Sequence, residues 1–187
     1  MTPTPRGAQT PLWDWLGEAL AVDFANTTRR FGDEEHELLE APDDLVLWAE
    51  LERGRVPVVA AGGVRLGEIR TFRDDVKALL HAAVGGSVPP APAVERVNAR
   101  LRAAPLVLQL RDGEAALAPA AATDPLDELL ARVAHSAIEL AAQGGVGFCD
   151  APSCGQFFER SRVSQLWCSH ACGTRARVAR HAQRRKA

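Results

Sequence analysis

Four cysteines within 24 residues constrain this chain more than any other feature. Cys149 and Cys154 form one close pair, Cys168 and Cys172 a second, and the run reads Cys-x4-Cys-x13-Cys-x3-Cys. Two close pairs joined by a short excursion bring four thiolates to one point. Zn²⁺ favours sulfur, has no ligand-field preference of its own, and closes a tetrahedron at about 2.3 Å per Zn–S bond. Four thiolates leave no open position for a reacting water, so the spacing predicts one structural zinc ion. Pro152 tightens the first loop, and Gly155 lets the backbone after Cys154 turn its N–H groups towards sulfur. Phe157, Phe158 and Trp167 supply apolar cover for a module too small for a core of its own. His170, between the last two cysteines, is an alternative ligand that four available sulfurs make unnecessary; its other reading is an exposed residue at a helix start.

The compartment argument agrees with metal over disulfides. No apolar run approaches the roughly 20 residues that cross a bilayer, and the first residues lack the basic, apolar and small-residue succession of a signal peptide. A cytoplasmic protein without a membrane span is expected, where thiols stay reduced.

Charge divides the chain. Residues 149–187 hold eight Lys/Arg against Asp150 and Glu159, a balance of +6, and the remaining residues carry −8. The run after Cys172 suits a helix starting near Ser169, whose N-terminal dipole and nearby arginines would offset a doubly negative Zn(Cys)4 centre. Arg177, Arg180 and Arg184 then follow at i, i+3 and i+7 on one face. Such a row suits a phosphate backbone. The candidate nucleic-acid contacts are Arg175, Arg177, Arg180, His181, Arg184, Arg185 and Lys186, with DNA as the expected partner. Two readings stand beside this one: a solvated helix tail, and arginines that dock on an acidic protein partner or on the −8 body. Arg175, nearest the cysteines, divides evenly between DNA and a structural bond to a thiolate or carbonyl.

The body predicts an α+β fold, mainly helical with a small β-hairpin, followed by a treble-clef-like zinc finger at the C-terminus. Residues 1–11 read as a flexible arm, 12–145 as the body and 146–187 as the finger. Trp13, Leu16, Leu20 and Phe24 fit a helix, while residues 21–24 fit a short strand equally well. Pro42, Asp43 and Asp44 cap a helix that ends near Gly54. Residues 66–84 form an amphipathic helix, with Leu66, Ile69, Val76, Leu79 and Leu80 inside and Arg70, Arg73, Asp74 and Lys77 outside. A shorter helix runs through Val94, Val97 and Leu101. Residues 106–118 read as strand, turn and strand about Asp112-Gly113. A long helix from Thr123 or Asp124 reaches Gln143 and delivers the chain straight into the cysteine module, which is expected to dock on the body.

Phe157-Phe158, Trp167-Cys168-Ser169, Cys172-Gly173-Thr174-Arg175 and Arg177-Val178-Ala179-Arg180-His181 resemble the signature of the CGNR-type zinc finger, with Thr174 at the Asn of the family name. Leu20-Ala21-Val22-Asp23-Phe24-Ala25-Asn26-Thr27 is similar to the opening motif of the ABATE domain that precedes this finger, and the arginine-bearing helix falls in the expected place. The resemblance implies a stress-response transcription regulator: a sensing or assembling body and a DNA-contacting finger. Homo-oligomers and a small-molecule effector of unknown identity are compatible with that role. Asp23, Asn26, Thr27, Arg70 and Arg73 form a candidate ligand pocket; the competing reading is a capped turn in which Asn26 and Thr27 satisfy backbone groups. No nucleophile and base pair is assignable and no phosphate-cradling glycine loop is present, so enzymatic activity is not expected.

Overall fold

The computed structural model describes residues 17–32 and 34–185. The expected arm of residues 1–11, Trp13, Leu16 and Lys186 lie outside them. The body is built from α1 (Leu20–Ala25), β1 (Thr28–Phe31), β2 (Glu34–Glu37), α2 (Pro42–Leu51), α3 (Leu66–Gly85), α4 (Ala91–Ala103), β3 (Leu106–Arg111), β4 (Glu114–Pro119) and α5 (Pro125–Gln143). The finger adds β5 (Val146–Cys149), β6 (Gln156–Glu159) and α6 (His170–Arg184). This is the expected class, mainly helical with small antiparallel hairpins and a treble-clef-like end.

Helices α3 and α5 pack on each other and on α4 and α1. All six residues of α1 are buried. That explains its ambiguous sequence: an element buried on every side shows neither helical nor strand alternation. Phe24 has no exposed surface and meets Trp48 edge to face at 5.3 Å and Phe72 at 5.7 Å between ring centroids. Asp124 caps α5 by accepting the Leu126 N–H at 2.8 Å. The register of β3 and β4 runs from Leu106↔Pro119 to Arg111↔Glu114 across the expected turn, where Asp112 and Gly113 have φ of 51° and 86°.

Two findings correct the sequence reading. The body holds a second hairpin, β1–β2, with Thr28 opposite Glu37 and Phe31 opposite Glu34. Its charged strands give no apolar alternation. They are held instead by α3, where Lys77 Nζ donates to Thr28 Oγ1 at 2.7 Å and to Glu35 at 2.5 Å. Consequently Arg73, placed on the outer face of its helix by periodicity, is buried, and its guanidinium donates to both oxygens of Glu37 at 2.6 Å.

Candidate metal centre and basic helix

Strand β5 ends on Cys149, and the chain turns tightly to Cys154. Cys154 N–H donates to Ala151 O at 3.0 Å, and Gly155 N–H donates to Cys149 O at 2.9 Å. Gly155 has φ of +70°, which only a residue without Cβ adopts freely. On the other side, Ser169 caps α6 by accepting the Cys172 N–H at 3.2 Å, which sets Cys168 just before the helix and Cys172 in its first turn. All four sulfurs lie within 4.8 Å of one another. Cys154 and Cys168 are 3.7 Å apart at sulfur, and Cys168 and Cys172 3.4 Å. A tetrahedron with Zn–S bonds of about 2.3 Å has edges of about 3.8 Å, so the spacing suits one zinc ion.

Thiol acidity points the same way. Hydrogen bonds from Cys154 and Cys168 hold Cys149 down to about 2. The Cys149 thiolate in turn pushes Cys154 up to about 12 and Cys168 higher still. Four thiols this close cannot all ionise against one another, whereas a dication satisfies all four. The set is all sulfur and three of its members are buried, so the chemistry it supports is structural. Arg175 Nη2 donates to Cys172 Sγ at 3.0 Å and adds a cation beside the thiolates.

Helix α6 carries the remaining arginines. Arg177, Arg180, His181, Arg184 and Arg185 are all exposed, and Arg180 also leans back, its Nε donating to Ala176 O at 3.4 Å and its guanidinium 6.0 Å from the Trp167 ring centre. The row expected from spacing is therefore shared between the solvent face and the cover of the metal site. His170, the first residue of α6, is exposed and outside the sulfur cluster.

The finger is docked on the body through β6. Asn26 Nδ2 donates to Phe157 O at 3.0 Å, and Asn26 Oδ1 accepts the Phe157 N–H at 2.9 Å. Ala19 N–H donates to Glu159 at 2.5 Å, and Glu159 N–H donates to Glu18. Burial and the neighbouring Glu159 raise the Glu18 carboxyl above its ordinary range, against the backbone hydrogen bond that lowers it. Phe157 packs into the body core, while Phe158 packs against Cys149, Cys154 and Cys172. The His81 ring of α3 completes the seam, 4.6 Å from Phe157 and 4.8 Å from Phe148. Burial, with Lys77 nearby, lowers the His81 pKa and favours the neutral ring there.

The body matches the family model ABATE, described as "Putative stress-induced transcription regulator", over residues 18–144, more than half of the chain. The chain belongs to the ABATE family. The CGNR zinc finger model matches residues 146–185, the segment that holds all four cysteines. Neither is an enzyme family. No curated protein matches the chain. Among the described residues, no helix is long and apolar enough to cross a membrane.

Within the ABATE body, three of the five candidate pocket residues, Thr27, Arg70 and Arg73, gather around Glu37, whereas Asp23 and Asn26 take other partners. Asp23 faces Arg55, which donates to it at 3.0 Å, to Glu52 at 2.7 Å and to Glu18 O at 2.5 Å. Burial and the Glu52 carboxylate push Asp23 up to about 7, against the Arg55 hydrogen bond. Arg70 and Arg73 face Glu37 instead, and Arg70 Nη2 also donates to Leu39 O at 2.6 Å. Burial raises the Glu37 carboxyl, but Arg73 more than offsets this and holds it below the usual carboxylate range. Thr27 Oγ1 donates to Phe24 O at 2.8 Å, and Arg73 Nη1 lies 3.2 Å from it. Asn26 reaches out of the body to the finger. Sequence reasoning missed Glu37 and Arg55, whose pairings with Arg73 and Asp23 link residues far apart in the chain, and Glu52, which lies three residues before Arg55 and joins it at Asp23.

Proposed function

We propose that this ABATE protein is a zinc-dependent DNA-binding regulator whose α6 lies along a phosphate backbone. The observation that carries the reading is a contrast in arginine pairing. In the body, seven arginines, Arg55, Arg65, Arg70, Arg73, Arg96, Arg102 and Arg132, each meet a carboxylate, while Arg100 lies over the Phe72 ring and Arg111 bonds to Gln109 Oε1. Among the described residues, none of the α6 arginines meets a carboxylate. Arg177 bonds only to Thr174 Oγ1 at 3.0 Å, and Arg184 and Arg185 stand exposed. A helix with no acidic residue along Arg175–Arg185 repels itself, and a polyanion relieves that repulsion by releasing its own counterions.

The zinc ion would order the helix and keep its arginines in register, and the body would sense or assemble. A protein partner is the second reading, favoured by Val178, which is 64% exposed between Arg177 and His181. Capture of genomic fragments with and without a zinc chelator, followed by salt titration, separates the two. DNA binding predicts metal dependence and a log–log salt slope of about −0.9 per phosphate contacted. Replacing Arg177, Arg184 and Arg185 together should flatten that slope; salt-insensitive or absent DNA binding argues against the reading.

A further inference from the structure

The loop between β6 and α6, residues 160–169, is closed on itself. Ser161 donates from both N and Oγ to Gln165 Oε1 at 2.9 Å, Gln165 N–H donates to Arg162 O at 3.0 Å, and Gln165 Nε2 donates to Trp167 O at 3.1 Å. A loop bonded in this way is preorganised, yet it holds Val163 at 94% and Leu166 at 62% exposure. Among the described residues, no packing accounts for those two side chains.

Beside them a cleft of 450 Å³ opens against the first turns of α6, with Arg162, Leu166, Trp167, His170, Gly173 and Arg177 in its lining. Among the described residues, no carboxylate lines it and neither Arg162 nor Arg177 has an ion pair. Gly173 is what brings the indole so close: a Cβ there would sit 3.1 Å from Trp167 Cδ1, so the ring lies directly on the helix backbone. The cleft thus offers aromatic and aliphatic walls, hydroxyls from Ser164 and Ser169, and two guanidinium groups, that of Arg177 also donating to Thr174 Oγ1.

Flat apolar surface flanked by cations matches a nucleobase with its phosphates, since every base has a stacking face whatever its sequence. In a duplex those faces are hidden by neighbouring bases, and a cleft that grips one is closed to a paired base. We propose that this cleft takes one unstacked nucleobase of single-stranded DNA, with Arg162 and Arg177 on the flanking phosphates. The inference rests on the DNA reading above and narrows it: α6 supplies charge, and the loop selects strands that are open or opened locally.

The test uses the full zinc-loaded chain and fluorescence polarisation with a labelled single strand of about 12 nucleotides, the matching duplex, and a free mononucleotide as competitor. The single strand should bind roughly ten-fold more tightly than the duplex. Leu166→Ser should weaken the single strand about ten-fold and the duplex less than about two-fold, with Trp167→Phe retaining most of the preference. Because the Leu166 side chain is in solvent, loss of fold is not the expected effect, and zinc content measured on each variant confirms an intact finger. Duplex binding equal to or tighter than single-strand binding, or a Leu166→Ser variant without effect, overturns the inference while leaving salt-dependent duplex binding intact. Competition by the mononucleotide at the affinity of the strand also overturns it, in favour of a free-nucleotide site. Absence of binding to either DNA overturns both this inference and the DNA reading.

Discussion

Asn26 and Phe157 are joined at both ends of one amide, which donates to the Phe157 carbonyl and accepts from the Phe157 N–H at 3.0 and 2.9 Å. A side chain at the end of α1 thus serves as a one-residue partner strand for β6. Removing it leaves two main-chain groups at the seam without partners, each costing roughly 1–3 kcal/mol where water cannot replace it. Asn26→Ala should lower unfolding stability by about 2–4 kcal/mol in urea titration. Asn26→Asp, which keeps one acceptor and loses the donor, should not rescue it.

Zinc removal should unfold more than the knuckle. Chelation, or Cys168→Ser, removes the ion that lets four mutually repelling thiolates coexist, and elemental analysis should fall from one zinc per chain to none. Loss of α6 helicity in circular dichroism should accompany a lower melting temperature of the body, because Phe157 and Phe158 are consecutive on β6 and serve both cores. A body melting point unmoved by chelation would contradict this coupling.

Arg175 separates a structural arginine from a DNA contact. Its bond to Cys172 Sγ predicts that Arg175→Ala releases zinc to a competing chelator faster than the parent chain. The salt slope of DNA binding should stay unchanged. A slope reduced by about 0.9 would instead count Arg175 among the phosphate contacts.

Asp23 carries a pH signature. Its pKa, raised to about 7 by burial and by Glu52, means that the folded chain holds this proton more tightly than the unfolded chain does. The folded state therefore gains from a protonated Asp23 at low pH and loses that gain as pH climbs from the ordinary carboxylate range to about 7, with no further loss above. Asp23→Asn removes the ionisation, so stability measured between about pH 5.5 and 7.5 should decline less with pH in the variant than in the parent. Equal slopes would place the titration elsewhere.

The sequence was legible where a local rule governs. The cysteine spacing, the Asp124 cap, the Asp112-Gly113 turn and the long amphipathic helices all follow from neighbours within a few residues. What escaped was decided at long range. Charged β1 and β2 exist because Lys77 and Arg73 hold them, and Arg73 is buried because Glu37 arrives to meet it. Asp23 in the opening motif and Arg70 on the arginine-bearing helix suggest one cluster, yet Asp23 pairs with Arg55 and Arg70 with Glu37. In the finger, local spacing set the ligands, but only the docked fold assigns Phe157 to the body and Phe158 to the metal side.

That division has a consequence for how such proteins can be rearranged. A finger whose strand delivers one ring inward and the next outward is not a portable cassette. Grafted onto a host lacking a cavity for Phe157 and an Asn26 to clamp it, the module would present a bare phenyl ring and two orphaned peptide groups. Fusions designed to borrow the basic helix α6 would do better to carry α1 and the His81 end of α3 along with it.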